Sequence, residues 1–166
     1  SMYQNTIKPA QFARLDAVWQ AMESIDAASM WISGIVSMIG KDAYFRWHDS
    51  GDLQSVEHLS KIAQIARRLD KTLFWLPTRE YDIVKDFLKT ESIPVNLVIR
   101  MSAMYKDKPA KLPRSLQGYA NILTSTVHSK TELTGFKCLA PKQQGTCGSC
   151  RACWDNKIVN VSYQAH

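Results

Sequence analysis

Apolar runs that read as β-strands alternate with amphipathic stretches that read as helices, and this alternation restricts the chain more than any other feature. Ala43-Tyr-Phe-Arg-Trp47 reads as a strand. Ser55 is placed to cap the helix that follows, with Val56, Leu59, Ile62, Ala66 and Leu69 on one face. Thr72-Leu-Phe-Trp-Leu76 shows no polar alternation, as expected of a strand covered on both faces. Tyr81, Val84, Phe87 and Leu88 stripe the next helix, and Pro94 opens a third strand through Val95, Leu97, Val98 and Ile99. Residues 120–124 and 158–163 supply further strands. Strands roughly two dozen residues apart, with helices between them, imply right-handed βαβ units. The expected fold is therefore α/β: a mainly parallel sheet with flanking helices, an incomplete βα barrel being one form of it.

Two helices precede this pattern. Pro9 suits a first helical turn, and Phe12, Leu15, Trp19, Met22 and Ile25 recur at helical spacing. Asp26 is expected to cap the second, which carries Trp31, Ile32, Ile35, Val36 and Ile39, with Gly40 just past its end. These apolar positions read as core. With 166 residues, 45% of them apolar, the chain supports one core without staples, and residues 2–166 read as a single domain. Ser1-Met2 reads as a tag-cleavage remnant before the native start. No apolar run reaches the length of a membrane span, which excludes a membrane partner of that kind. The net charge of +6 favours anionic partners: nucleotides, nucleic acid or an acidic protein face. The densest basic group, Lys106, Lys108, Lys111 and Arg114, is interleaved with Pro109 and Pro113 and reads as a long solvated loop.

All four cysteines lie within sixteen residues, as Cys138-x8-Cys147-x2-Cys150-x2-Cys153, and the preceding 137 residues contain none. Core cysteines would be scattered; thiols three residues apart on glycine turns form a soft-ligand set. Gly145 and Gly148 supply those turns. Residues 136–155 thus read as an embedded metal module with Cys138, Cys147, Cys150 and Cys153 as ligands. The run of three followed from a distance by a fourth favours a [4Fe–4S] cluster. Zinc is the alternative, although only Cys147-Gly-Ser-Cys150 has the form of a zinc knuckle. Thiols without metal remain the third reading: two disulfides, against which the absence of a signal peptide speaks, or a thioredoxin-like dithiol, which would stand at a strand-to-helix junction.

Parallel α/β sheets place their sites beyond the carboxyl ends of the strands. The first strand runs into His48-Asp49-Ser50-Gly51-Asp52, the second into Pro77-Thr78-Arg79-Glu80. The third ends at Arg100-Met101-Ser102 and the fourth in Thr124-Ser125-Thr126-Val127-His128. Convergence on one rim gives His48, Asp49 and Asp52 as general acid/base groups, Arg79 and Arg100 as an anion clamp, and His128 at the edge. Each also has a plain structural reading, such as Asp52 or Thr78 capping a helix and Arg100 pairing with a carboxylate. No Walker loop, Gly-x-Gly-x-x-Gly or Ser-His-Asp order is present.

Three segments carry a family resemblance: Phe45-Arg-Trp-His-Asp-Ser-Gly-Asp-Leu53, Phe74-Trp-Leu-Pro-Thr-Arg-Glu80 and Cys147-Gly-Ser-Cys-Arg-Ala-Cys-Trp154. With them the chain resembles the phage "gene product 88"-like proteins of phages, prophages and plasmids, over most of its length. The resemblance implies a mobile-element origin and a place in the host cytoplasm, and carries no established reaction. The layout is similar to the partial βα barrels of radical S-adenosylmethionine enzymes, but a Cys-x3-Cys-x2-Cys motif near the start is lacking. It also implies that longer relatives have a cysteine-bearing segment upstream of Met2-Tyr3, making this a shortened member. Two functions are expected: an enzyme acting on a phosphorylated or nucleic-acid-derived substrate, or a non-catalytic effector binding a host protein or nucleic acid.

Overall fold

A computed structural model of the chain describes residues 8–48, 51–129 and 135–165. Two helices, α1 (Lys8–Met22) and α2 (Ile25–Ile39), lead into β1 (Tyr44–Arg46), α3 (Val56–Arg68), β2 (Leu73–Thr78), α4 (Tyr81–Phe87) and β3 (Leu97–Ser102). Then come β4 (Ile122–His128), the short β5 (Phe136–Lys137) and β6 (Asn160–Gln164). The strands form one sheet in the order β1-β2-β3-β4-β6-β5, every pairing parallel. It curls as a half-barrel. The expected α/β architecture is thus present, and the sheet is wholly parallel among the described residues.

Several elements differ from expectation in informative ways. The cap of α2 is Ser24, whose side chain accepts from Ala27 N at 3.1 Å; Asp26 sits in the first turn, where its charge suits the helix dipole. Ser55 caps α3 as expected, accepting from His58 N at 3.1 Å. On α1 the stripe is rotated: Val18 and Ala21 face inward, while Phe12 and Trp19 are exposed, as is Ile25 at the start of α2. Strand β3 begins at Leu97, not Pro94, whose carbonyl instead accepts from Leu97 N in a turn that leaves Val95 exposed. The two-residue β5 was not expected at all.

The sheet separates two cores. Leu59, Ile62 and Ile65 of α3 pack on Phe74, Leu76, Leu97, Ile99 and Met101, forming the main core on the helical face. Alternate residues point the other way, so Trp75 and Val161 pack on the opposite face against Ala152 and Cys153. The segment joining β5 to β6 therefore stands where a crossover helix would otherwise cover the sheet.

Candidate functional site

The carboxyl ends of β1 and β2 are tied together by Asp52. Its Oδ1 accepts from Leu53 N at 2.7 Å and from the Thr78 hydroxyl, and its Oδ2 accepts from Arg79 N at 2.8 Å. Thr78 Oγ1 in turn accepts from Glu80 N at 3.0 Å, ahead of α4. Asp52 and Leu53 thus lie against the 78–80 segment. Asp52 nevertheless reads first as a positioning group, since both its oxygens already accept from loop donors.

Beside this rim lies a cavity of about 580 Å³ between α1, α2, the end of β1 and the start of α3. His48, Asp52 and His58 line it together with Trp31 and Trp47. The His48 and His58 rings are 5.6 Å apart, and His58 meets Trp31 edge-on at 6.0 Å. Burial, with smaller contributions from His48 and Lys61, pushes His58 down to about 3, so the imidazole is neutral in ordinary conditions. Asp49 lies outside the described residues. Arg79 is exposed on the rim and does not line the cavity. His128, at the end of β4, is three strand positions from β1, roughly 14 Å at the usual interstrand spacing. It contacts Ser162 Oγ through Nδ1 at 2.7 Å.

Arg100 is not at the rim. It sits within β3, fully buried, with its side chain on the face opposite the helices. Its Nε donates to Cys153 O at 2.9 Å, Nη1 to Ile158 O at 2.9 Å and Thr124 O at 3.2 Å, and Nη2 to Ala152 O at 2.8 Å and Asp155 O at 2.9 Å. All five guanidinium donors are thereby used on backbone carbonyls, which removes Arg100 from any anion clamp. Desolvation lowers its affinity for the proton, but an arginine keeps its charge.

That charge sits beneath the cysteine segment. Cys138, Cys147, Cys150 and Cys153 line one small pocket together with Phe136 and Val161. Cys150 N closes a turn on Cys147 O at 2.9 Å, and Gly145 (φ +79°) and Gly148 (φ +51°) adopt the left-handed backbone that glycine permits. Cys153 is buried, its sulfur 3.2 Å from the Tyr163 hydroxyl. Burial pushes its thiol up to about 11, opposed by Tyr163 and Arg100. Trp154 staples the segment to the sheet: its indole N–H donates to Phe45 O at 3.0 Å, and its ring meets Trp75 edge-on at 5.2 Å. All four thiols are free, and among the described residues no three His, Cys, Asp or Glu side chains are arranged to hold a metal ion. The donor chemistry suits a soft metal, whereas the spacing in this state does not.

The motifs and the parallel sheet agree with one comparison. The sequence profile described as Gene product 88 matches residues 3–156. The chain belongs to the gene product 88 family. No curated protein and no solved structure matches it. In this gene product 88 protein, several residues of the cavity have no sequence signal as site residues, Arg14, Gln54 and His58 among them. His58 reads as one more position of α3, although an imidazole directly before Leu59 on a helix of buried aliphatics is an anomaly. No described helix is long and apolar enough to cross a membrane.

Proposed function

We propose that this gene product 88 protein is a metalloprotein in which Cys138, Cys147, Cys150 and Cys153 hold a [4Fe–4S] cluster, with zinc as the alternative metal. We propose further that its rim is an enzyme site for a phosphorylated or nucleic-acid-derived substrate. One observation carries the metal reading: the four cysteines border one pocket beside a buried guanidinium whose five donors all go to backbone carbonyls. A tetrathiolate centre would add negative charge near that cation, whose charged form Asp155 is the one neighbouring carboxylate to favour. Four cysteines close the coordination sphere, so the bound group would act as a structural clamp for residues 138–158. Loading entails movement of the exposed 147–150 turn, because the thiols do not yet form a ligand set.

At the rim, neutral His58 and neighbouring His48 are the proton-transfer candidates, Asp52 holds the two loops in register, and Arg79 offers an exposed cation to an incoming anion. The effector reading keeps one support of its own: Phe12, Trp19, Met30 and Met38 on α1 and α2 are exposed apolar side chains.

Purification without oxygen followed by absorption and metal analysis tests the first part. A broad band near about 400 nm with iron and sulfide identifies the cluster, and about one equivalent of zinc in colourless protein identifies the alternative. Folded, metal-free protein with four free thiols overturns it. For the rim, nucleotides and short RNA are incubated with the protein and with His48→Ala, and products are separated by chromatography. Product lost in the variant supports the enzyme; no product with any substrate favours the effector.

A further inference from the structure

We infer that the cavity between α1, α2 and α3 binds a nucleotide, its base enclosed among the aromatic walls and its phosphate at the mouth beside Arg14. The inference rests on the rim reading and names the ligand class of that site. At about 580 Å³ the cavity falls within the roughly 300–1,000 Å³ typical of small-molecule pockets. Trp31 and Trp47, stacked at 6.3 Å with an interplanar angle of 27°, both line the cavity, and Trp31 is the more exposed of the two. An aromatic lining of this kind suits a planar ring.

Polar atoms narrow the choice. Trp47 Nε1, Gln54 Oε1 and His58 Nδ1 are buried without a hydrogen-bond partner among the described residues, and all three side chains line the cavity. Trp47 and His58 are themselves more than nine-tenths buried. An indole N–H only donates and an amide oxygen only accepts, so an occupant that satisfies both must offer an acceptor and a donor. A fatty acyl chain satisfies neither and leaves the buried groups unmet. A flat ring with alternating donors and acceptors on its edge is a nucleobase, read by stacking and edge contacts as in base-binding enzyme pockets. His58, held neutral by burial, presents one donor and one acceptor and imposes no charge on that edge. Arg14, exposed on α1, also lines the cavity and places a cation at its open side. Arg46 lines it too, but its guanidinium lies over the Trp75 ring at 4.6 Å.

The test is a titration of the whole protein with AMP, GMP, CMP and UMP and with the four nucleosides, read by tryptophan fluorescence and calorimetry. At least one nucleotide should bind saturably and its nucleoside more weakly. Gln54→Ala should weaken both about tenfold, and Arg14→Gln should bring the nucleotide to the nucleoside's level, an effect also of about tenfold. Circular dichroism confirms folding, and Trp31→Leu, at a half-buried position, serves as a second variant that should lose base binding. No binding at millimolar nucleotide overturns the inference, as do wild-type affinities in the Gln54 and Arg14 variants, or a fatty acid that fills the cavity without nucleotide competition. Nucleotide binding without turnover keeps this inference and sinks the enzyme reading. Turnover of a phosphorylated compound that lacks a base does the reverse.

Discussion

Arg100 and Cys153 form one buried unit, joined by the hydrogen bond from Arg100 Nε to the Cys153 carbonyl at 2.9 Å. The guanidinium takes the place of a small solvent pool: it binds the carbonyls of residues 152, 153, 155 and 158, of which only Ala152 O and Asp155 O also accept from backbone turns of the same loop. A lone strand residue thereby holds the loop carrying the last cysteine.

Arg100→Lys keeps the charge but offers three donors where five are used. At least two buried carbonyls lose a donor, and the expected destabilisation is roughly 1–3 kcal/mol. Urea denaturation followed by near-ultraviolet circular dichroism measures it, because Trp75 and Trp154 stand beside the loop. A variant as stable as the parent would show that the loop is held by other contacts.

Asp52→Asn should loosen the rim. The amide keeps one acceptor oxygen and turns its N–H₂ toward either the Thr78 hydroxyl or Arg79 N, which are both donors here. The expected cost is roughly 1–3 kcal/mol, with faster proteolysis around residues 49–52 and 78–80. Unchanged stability and protection would mean that the loops keep their positions independently.

His58 makes stability depend on pH in a defined direction. Its folded value, about 3, lies below the ordinary value of 6.5, chiefly through burial and secondarily through His48 and Lys61. Below about 6.5 the unfolded chain takes up a proton that the folded chain refuses, so acidification destabilises the fold. The slope approaches about 1.4 kcal/mol per pH unit between those limits, and the contribution is absent above about pH 7. Urea midpoints of the parent and His58→Gln at pH 7.5 and 5.0 should diverge, the variant losing less. Parallel losses would place the acid sensitivity elsewhere.

Removing metal should act on one face of the sheet only. Cys150→Ser, or treatment with a chelator to remove the proposed metal, is expected to change the near-ultraviolet signal of Trp75 and Trp154 while the far-ultraviolet helical signal persists, because α2 to α4 pack on the other core. Protein whose helices melt together with the cysteine segment would contradict this separation.

How much of this was legible in the sequence depends on the range of the forces involved. Local ones could be read: Ser55 caps α3 through a bond spanning three residues, and the apolar runs of β2 and β3 declare burial on both faces. Arg100 could not be placed, because a charge after Val98-Ile99 reads as a strand end. The carbonyls that solvate it come mostly from 52 to 58 residues further on. Strand β5 was invisible because two residues carry no periodicity. The stripe on α1 misled because Phe12 and Trp19 keep helical spacing while the smaller Val18 and Ala21 make the close approach.

The placement of β6 between β4 and β5 has a consequence for the order of assembly. Chain order and spatial order cross there: β5 precedes β6 yet finds its neighbour only in β6, and β4 exposes a bare edge until the same strand arrives. The four thiols lie on the connection between the two strands, so their frame is complete only once β6 has paired. During synthesis they pass through an interval as ordinary reactive cysteines beside an open strand. The cell's reductants and chaperones would govern that interval more than the protein's own contacts do.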